Sequence, residues 1–452
     1  IRGLGNMRSG ANMTKIYVDV QSVRFVGIVS LVIFLLSIFY IPNGFGQVLN
    51  LSEIKSYARE HSPILKAKEQ EIGIREGERV ITRSSMFPTL SARGGYTHYK
   101  LEHGTIEGVF GPKQKPDVDR FAGDVSFNFV AFAFGKNFFN YKGASLLVQS
   151  KKKEYERTWQ MLSFNLSKVY YSLLTVDKTI LATKKTIESL KALKSEISQK
   201  VKVGRLAEVD LLKVDVNLYK TIDDLSKLQT LREDLLGELK RLMGYREDDF
   251  KFDDVPIAKR ERKHFDLSEL LSTAYESRAD LNSIVRAIEG VGYQIKSVKA
   301  SYFPEVTLRG AYAQQAPGDR NFVSDGNAGV YISMPIFDGL YRKGKTDKLS
   351  SERSRLEYML ADKKLEIKKE VRTALENYNE TLIRVDATKR SMEHAREVLR
   401  IEKLKYKLGR TTINFVLDAE GALLGARSLF YKAYYDNLLA LDDIKLAVGN
   451  LN

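Results

Sequence analysis

One segment of the sequence matches a motif with a known chemistry. The residues from Gly339 to Thr346 read GLYRKGKT, which fits the phosphate-loop pattern GxxxxGK followed by Ser or Thr. The segment FVLD, which ends at Asp418, would supply the carboxylate that binds Mg²⁺ in such proteins. A phosphate-loop nucleotide-binding protein is therefore one hypothesis for this chain.

Other residue types that perform catalysis are absent or scattered. The chain has no Cys, which excludes disulfide bonds, Cys-ligated zinc, iron–sulfur clusters and a thiol nucleophile. No Ser-His-Asp or paired-carboxylate arrangement is evident, so we predict that the protein is not an enzyme. The histidines show no spacing typical of metal ligands, so we expect no metal site and no cofactor. They are His61, His98, His103, His264 and His394.

The N-terminal region has the pattern of a secretory signal peptide. Residues 25–41 contain no charge and are mostly apolar, and the basic Lys15 and Arg24 precede them. The small residues Gly44 and Gly46 follow, as at a signal-peptidase site. We therefore predict a signal peptide over residues 1–46. A retained membrane anchor is the alternative, because the apolar run approaches the length of a spanning helix.

The charge of the chain is basic but evenly distributed. Lys and Arg number 72 and Asp and Glu number 57, which gives a formal net charge of +15. The densest basic run, residues 151–153, is followed at once by Glu154 and Glu156. Interleaved charges are typical of a solvated helix face. We therefore predict no nucleic-acid partner.

The sequence contains two similar halves. Residues 86–96, MFPTLSARGGY, recur as residues 302–312, YFPEVTLRGAY, and the tripeptide VGR around Gly204 recurs as LGR around Gly409. The same order of landmarks in both halves predicts an internal duplication. The first repeat covers residues 47–265 and the second covers residues 266–452.

Each half contains two segments in which apolar and polar residues alternate. Such alternation predicts strands with one apolar and one polar face. Their length, about ten residues, is that of a membrane-spanning β-barrel strand, although alternation alone would also fit two hairpins of a soluble sheet. The strands are predicted at about residues 89–99, 121–131, 305–315 and 327–337.

The rest of each half is predicted to be helical. Residues 137–203 and 340–408 contain no Pro, and each segment would form a helix roughly 100 Å long. Leu417, Leu424 and Leu438 lie at multiples of seven residues, which is the spacing of a coiled-coil seam. The sequence therefore predicts paired long helices connected to the strands.

Taken in order, these features resemble the outer-membrane efflux protein (TolC-like) family over about residues 48–451. The resemblance implies a mixed, mainly α fold in a homotrimer. Each protomer would give four strands to a shared β-barrel in outer-membrane lipid, continued by an α-helical coiled-coil tunnel in the periplasm. Proteins of this family are passive exit ducts for efflux or type I secretion. They work with a periplasmic adaptor (membrane fusion) protein and an inner-membrane pump.

The resemblance also identifies candidate residues at the periplasmic entrance. Asp418 matches one of two acidic positions that ring the family's pore, whereas Phe415, with Asn414 beside it, occupies the other. Tyr406 and Asp210 match a Tyr–Asp pair that helps to hold the family's tunnel shut.

The two turns between long helices are the expected contacts for the adaptor. They contain Gly204 with Arg205 and Gly409 with Arg410. Thr411 occupies the position of an Arg that closes the tunnel in the family, so Arg410, one residue earlier, is the candidate substitute.

Two further arginines and two rival functions complete the hypotheses. Arg93 and Arg309 lie on polar strand faces and should give the barrel lumen a basic lining. A secreted trimeric coiled-coil structural protein is an alternative, but helices that return in antiparallel pairs disfavour it. Nucleotide binding is disfavoured because the preceding strand alternates and contains Pro335, whereas a phosphate-loop strand is buried and continuously apolar.

Overall fold

The computed structural model describes residues 48–100, 117–247, 251–253, 256–257, 262–317 and 322–451. The predicted signal peptide, residues 1–46, and His103 lie outside the described residues. The chain forms two units. The described part of the smaller unit is Val48 with Lys251–Phe252, and the larger unit consists of Leu49–Glu247 and Asp253–Asn452.

The first half of the chain has two short helices, two strands and two longer helices in that order. A short strand precedes them. The elements are β1 (Val48–Leu49), α1 (Leu51–His61), α2 (Pro63–Ser84), β2 (Thr89–Lys100), β3 (Asp117–Phe132), α3 (Lys136–Lys202) and α4 (Glu208–Met243).

The second half repeats this order with helices of identical length. Both halves contain helices of 11, 22, 67 and 36 residues. The elements are β4 (Lys251–Phe252), α5 (Leu267–Ser277), α6 (Ala279–Ala300), β5 (Glu305–Pro317), β6 (Val323–Ser333), α7 (Tyr341–Lys407) and α8 (Ile413–Val448).

The helices pack side by side around the two 67-residue helices. Helix α3 contacts α2, α4, α6 and α8, and helix α7 contacts α5, α6 and α8. Burial follows the helical period: Leu166, Tyr170 and Leu173 of α3 are fully buried, at the spacing of an inward-facing stripe. Within the described residues, no helix combines the length and the apolar character needed to cross a membrane.

Each 36-residue helix ends against the break between an 11-residue and a 22-residue helix. Gly244, after α4, has a φ of +74°, and a Cβ there would lie 2.6 Å from the carbonyl oxygen of His61. Gly449, after α8, has a φ of +83°, and its Cβ would lie 3.0 Å from Cα of Arg278. Only glycine fits these junctions, because the left-handed conformation and the close backbone both exclude a side chain.

The break between α5 and α6 is occupied by a buried arginine. Arg278 is 1% exposed and donates hydrogen bonds to both carboxylate oxygens of Asp280, at 3.0 and 2.6 Å, to Glu370 of α7, and to the carbonyl oxygen of Ala447, at 3.2 Å. Burial opposes ionisation of Asp280, but the hydrogen bonds and charge of Arg278 outweigh it and hold the pKa of Asp280 below its usual value. This arginine therefore joins three helices at one junction.

We expect Arg278→Ala to lower the free energy of unfolding by about 3 kcal/mol, because the substitution removes a buried arginine whose hydrogen bonds join α6, α7 and α8, and the half-buried Asp280 carboxylate would keep only the more distant Arg157 at 3.6 Å. The exposed Arg286 forms an ion pair with Glu289 on the same helix, so Arg286→Ala should cost less than about 1 kcal/mol. Chemical unfolding of the purified full chain, followed by circular dichroism, measures both values. Equal effects of the two substitutions would contradict the structural role of Arg278.

The four longer strands form one antiparallel sheet in the order β2–β3–β5–β6. The register places Leu90 opposite Phe127 and Tyr96 opposite Phe121, so their side chains share one face. This face is apolar and exposed, and a bulge between Val130 and Phe132 keeps Phe132 in register with it. Its exposed members are Leu90, Tyr96, Phe121, Val125, Phe127, Tyr312, Val330 and Ile332.

The fourth strand differs from the prediction. The alternating pattern predicted a strand at residues 327–337, whereas β6 ends at Ser333 and begins at Val323. Pro335 has no N–H to donate to a neighbouring strand, and its carbonyl oxygen instead accepts a hydrogen bond from Arg342 at 2.9 Å. Alternation therefore continues in the sequence beyond the point at which strand pairing stops.

Candidate functional site

The turns that connect the long helices have the same backbone conformation. Gly204 and Gly409 both have a φ of +70°, the left-handed conformation with which glycine ends a helix. In each turn, the backbone N–H of the residue after glycine donates a hydrogen bond to the carbonyl oxygen of the residue five positions earlier. The nitrogen–oxygen distance is 2.8 Å in the first turn and 2.9 Å in the second. A Cβ at either glycine would meet no atom within 4 Å. Conformation, rather than packing, therefore requires glycine in these turns.

The predicted adaptor-contact residues lie at the surface. Gly204 and Arg205 are exposed in the first turn, and Gly409 and Arg410 are exposed in the second. Helices α3 and α4, which the first turn connects, pack against each other, and so do α7 and α8, which the second turn connects. Each turn is therefore the end of an antiparallel helical hairpin.

The predicted entrance residues share one exposed face at the start of α8. Asn414 and Asp418 are exposed, and Phe415 is 57% exposed. Ile413 and Val416 lie on the opposite, buried face. The structure thus brings the three predicted residues together, and small residues continue the exposed face along the helix. These small residues are Gly421, Ala422 and Gly425.

Tyr406 and Asp210 are neighbours, but they do not form a hydrogen bond. The Tyr406 hydroxyl is buried and has no hydrogen-bond partner among the described residues. Burial raises the pKa of Tyr406, and the nearby carboxylates of Asp210 and Glu196 raise it further. Asp210 instead has the ammonium of Lys213 at 3.9 Å. The Tyr–Asp contact inferred from the family resemblance is therefore close but unformed in this protomer.

A buried polar cluster near the second turn joins three helices. Glu420 of α8 is 5% exposed; it accepts a hydrogen bond from the Ser189 hydroxyl of α3 and forms an ion pair with the Lys403 ammonium of α7, each at 2.5 Å. Lys403 also donates to Ser189 at 2.8 Å. A buried charge is tolerated only with such partners. We call Ser189, Lys403 and Glu420 the Glu420 cluster.

The first hairpin has a related but shallower contact. Asp215 of α4 lies 11 residues after Gly204, as Glu420 lies after Gly409. Its carboxylate pairs with Lys194 of α3 at 2.5 Å and is partly exposed. The contact joins two helices rather than three. The sequence analysis missed both contacts, although a glutamate on the apolar face of α8 was a signal for a buried ion pair.

We expect Glu420→Ala to loosen the contact of the second hairpin with α3, because Lys403 and Ser189 would both lose their acceptor. Backbone amides at the start of α8 should exchange about tenfold faster with deuterated solvent, as in local opening of a helix. Asp215→Ala is the matched control and should have a smaller effect on α4. An equal response of α4 and α8 would argue against a special role for the Glu420 cluster.

Arg93 and Arg309 lie on the same polar face of the sheet. Arg93 is directly opposite Asp124, and Asp325 lies in the same row of residues across the sheet. The Arg309 guanidinium lies 5.3 Å from the ring centroid of Tyr331. Both signs of charge therefore occur on this face, and a basic lumen stays a prediction.

The phosphate-loop hypothesis is wrong. Helix α7 begins at Tyr341, so Gly344, Lys345 and Thr346 lie within a helix rather than in a phosphate-binding loop. The sheet beside them is antiparallel, whereas a phosphate loop follows a strand of a parallel sheet. The motif is part of the junction between β6 and α7.

Arg342, within the same motif, stabilises this junction. It is 7% exposed and donates to the carboxylate of Asp338 at 2.6 Å and to the carbonyl oxygen of Ser301 at 3.1 Å. Its guanidinium lies 4.3 Å from the ring centroid of Tyr302. Arg342 thus attaches the start of α7 to the end of α6.

In the described part of the chain, the histidines and carboxylates form no metal site, and the basic run at residues 151–153 is paired with acidic side chains. No group of three or more His, Asp or Glu side chains there could hold a metal ion. In the basic run, Lys151 and Lys153 pair with Glu154 and Glu156 at 2.6 and 2.7 Å, and Lys152 pairs with a glutamate of α2 at 3.1 Å. These lysines serve helix surface contacts.

Comparison with known proteins agrees with this architecture. A family model described as outer membrane efflux protein matches residues 55–245 and 270–450. Outer membrane protein TolC of Vibrio cholerae is 19% identical over 417 residues, covering 89% of this chain and 91% of TolC. Alkaline protease secretion protein AprF of Pseudomonas aeruginosa is 22% identical over 414 residues, covering 87% of this chain and 83% of AprF.

The fold also has solved counterparts. The CmeC outer membrane channel of Campylobacter jejuni has a TM-score of 0.77 at 18% sequence identity, covering 88% of this chain and 85% of CmeC. The likeness at this identity concerns the fold, whereas the family model matches most of the sequence in both halves. This chain therefore belongs to the outer membrane efflux protein family.

Proposed function

We propose that three copies of this protein form the outer-membrane exit duct of a tripartite efflux or type I secretion system. Family membership supports the location in the outer membrane and the passive transport role. The observation that carries the proposal is the four-stranded sheet, which has an exposed apolar face and, in the part of the chain that the structure describes, two unpaired edges. Such a sheet is incomplete as a single protomer.

The edges of the sheet support assembly from several copies. Strands β2 and β6 each have a neighbour on one side only among the described residues. Open edges are not tolerated in a bilayer, because each unpaired N–H and C=O group costs several kcal/mol there. Four strands are too few to close a barrel, whereas three protomers would supply twelve.

Aromatic side chains support a position of the sheet across the membrane. Tyr96 and Phe121 contact each other near one end of the apolar face, with ring centroids 5.0 Å apart. At the other end, the ring of Phe134 contacts those of Phe132 and Phe303, with ring centroids 4.8 and 5.0 Å apart. Outer-membrane barrels have such aromatic girdles at both interfaces. We place the apolar band between these two groups.

Apolar stripes on the outer helices support a coiled-coil contact between copies. Helix α4 exposes apolar side chains at heptad spacing close to the first turn, and helix α7 exposes a similar stripe close to the second. Apolar stripes of this kind pack against one another in coiled coils, and these side chains are at least one-third exposed in the single chain. The residues are Val209, Leu212, Val216 and Tyr219 on α4, and Val398, Ile401 and Leu404 on α7.

The repeated structure supports an origin by internal duplication. The four helix lengths are identical in the two halves, and the two helical turns close with the same hydrogen bond. Equal lengths place both hairpin ends at the same distance from the sheet. We propose that both ends meet the periplasmic adaptor, through which an inner-membrane pump would deliver cargo.

The class of cargo follows from two kinds of relative. The family is described as efflux proteins, and AprF is described as an alkaline protease secretion protein. A duct of this kind would accept either small molecules or an exported polypeptide. Its own residues would supply a passage and a gate, and the energy would come from the pump.

Tyr406 and Asp210 are neighbours without a hydrogen bond in this structure, and their hydrogen bond in the closed duct is the proposed closing contact of the gate. We expect Tyr406→Phe and Asp210→Asn each to raise the resting conductance in a planar bilayer, because each removes one partner of the contact. The double variant should conduct no more than the stronger single variant, since coupled residues are not additive. Additive increases would show that the two side chains act separately.

Asp418 is the proposed acidic position at the pore entrance. We expect Asp418→Ala to lower the ratio of cation to anion permeability and to weaken block by divalent cations. The exposed Asp223 on α4 pairs with Lys227 at 2.6 Å, and Asp223→Ala is the charge-matched control. Unchanged selectivity in Asp418→Ala would remove this residue from the entrance.

Location and conductance together test the proposed function. Density-gradient separation of membranes should place the full chain in the outer membrane, and the purified protein should form ion-conducting channels. A secreted structural coiled coil would give neither result. Recovery in the inner membrane or in a soluble fraction would contradict the duct.

A further inference from the structure

The four helices that meet the sheet share a pattern of side chains. Each has an exposed aromatic residue close to the sheet and, four positions farther from the sheet, an exposed basic residue. The aromatic side chains are between 51% and 65% exposed. The pairs are Phe87 with Arg83 at the end of α2, Phe138 with Lys142 in α3, Phe303 with Lys299 at the end of α6, and Tyr341 with Lys345 in α7.

The spacing places the basic side chains beyond the aromatic rings. In α3 and α7, four residues correspond to about 6 Å along the helix axis, and residues four apart lie on the same face. Two pairs are in direct contact. The Arg83 guanidinium lies 5.3 Å from the ring centroid of Phe87, and the Lys345 ammonium lies 5.7 Å from that of Tyr341. The helices therefore present rings nearer to the sheet and positive charges farther from it.

These basic side chains have no acidic partner within the chain. All four are exposed, and none has an ion pair among the described residues. Two other basic residues at the same junctions are neutralised, since Lys136 pairs with Glu305 at 2.8 Å and Arg342 pairs with Asp338 at 2.6 Å. The residues that we call the junction cations are Arg83, Lys142, Lys299 and Lys345.

Acidic residues are missing from the sequence around the junction cations. Residues 79–92, 136–150, 290–304 and 339–346 contain no Asp or Glu. Elsewhere on the helices basic and acidic residues are mixed, as in KKKEYE at residues 151–156, and such mixing is typical of a solvated face. Charge of one sign at all four junctions therefore needs a different explanation.

The helix dipole does not provide that explanation for α3 and α7. It favours basic residues in the last turn of a helix, where Arg83 and Lys299 lie. The first turn of a helix favours acidic residues instead. Helices α3 and α7 start at the sheet with no acidic residue in their first turns, which contain Lys136 and Lys343. Positive charge beside the sheet is therefore present against a local electrostatic cost.

The aromatic rings connect this surface to the apolar face of the sheet. Phe303 contacts Phe134, and Phe134 contacts Phe132 of β3, in the aromatic group that we place at one edge of the apolar band. Aromatic side chains at a membrane interface lie at the level of the headgroups. Lys and Arg side chains near such an interface extend their charges into the headgroup region. The junction cations would therefore lie at the level of lipid phosphates.

We propose that the junction cations bind the phosphate groups of anionic phospholipids in the periplasmic leaflet of the outer membrane. This inference rests on the proposed function, because it requires the sheet to lie across that membrane. A bilayer surface presents many phosphates in one plane, which matches basic residues next to the sheet on all four helices. Basic residues close to an anionic surface attract its lipids. The bound lipids would fix the depth of the sheet in the bilayer.

Electron paramagnetic resonance of spin-labelled lipids tests this inference on the purified full chain in phosphatidylcholine vesicles. One probe is labelled phosphatidylglycerol, and the other is labelled phosphatidylcholine with the same acyl chains. The spectrum separates lipid immobilised at the protein surface from free lipid. The wild type should prefer phosphatidylglycerol about threefold, because one basic residue favours an adjacent anionic lipid about fivefold and only part of the immobilised lipid adjoins a junction cation. About 1 M salt should reduce the preference, since the screening length falls to about 3 Å.

The test variant replaces all four junction cations by Gln, and a control variant replaces four other basic residues by Gln. The control residues are exposed and have no ion pair in the part of the chain that the structure describes. They lie about 70 Å or more from the sheet along α3 or α7. The test variant should lose the preference for phosphatidylglycerol, and the control should keep the wild-type value. The control residues are Lys185, Lys191, Arg390 and Arg396.

Several outcomes would overturn the inference. Equal association of both lipids with a wild-type protein that forms channels would reject the lipid site and leave the duct intact. An equal loss in the control variant would show attraction by overall charge. Loss of the preference on addition of inorganic phosphate at constant ionic strength would assign the cations to a free anion. Altered anion permeability of the test variant, with an unchanged lipid preference, would assign them to the lumen. Absence of wild-type channels would reject the proposed function itself.

Discussion

The constraint on which the rest of the structure depends is a sheet that one chain cannot complete. Its apolar face is exposed, and β2 and β6 each pair on one side only within the described residues. In water this sheet would aggregate through its edges, and in lipid its free backbone groups would be unsatisfied. Closure by other copies satisfies both needs, and a closed sheet encloses a passage. In the proposed duct, assembly and transport would therefore both follow from the same backbone requirement.

Away from the sheet, specific contacts fix the positions of the helices relative to one another. Each 36-residue helix ends where a 22-residue helix begins, and Gly244 and Gly449 permit the close backbone contacts at these junctions. Arg278 fills one junction with charge and hydrogen bonds to α7 and α8. Farther along, the Glu420 cluster holds the second hairpin to α3. Polar contacts thus fix the relative positions of helices whose apolar stripes alone would permit sliding, and the proposed gate would need this defined register.

Long-range regularities of the sequence predict the fold well, and local details of the site poorly. Alternation and the lack of Pro predict the strands and the long helices, because these patterns persist over many residues. The predicted boundary of β6 is wrong because alternation continues to Phe337, although Pro335 cannot donate a backbone hydrogen bond to a neighbouring strand. The phosphate-loop prediction is wrong because eight residues that fit the motif do not determine whether the segment forms a loop or, as here from Tyr341, the start of a helix. Glu420 on the apolar face of α8 signals a buried ion pair, but its partners Ser189 and Lys403 lie on other helices, so the pattern of one helix could not identify them.

Disulfide cross-linking of the sheet edges is the most direct test of this account, since the chain has no Cys of its own. Ser91→Cys in β2 would be combined with Asn327→Cys or Gly329→Cys in β6, on the same polar face. Ser126→Cys with Ala311→Cys, directly opposite in β3 and β5, should close within one chain as the control. The account predicts covalent dimers and trimers, and nothing larger, from outer membranes. Monomers alone, with the control bridge formed, would contradict it.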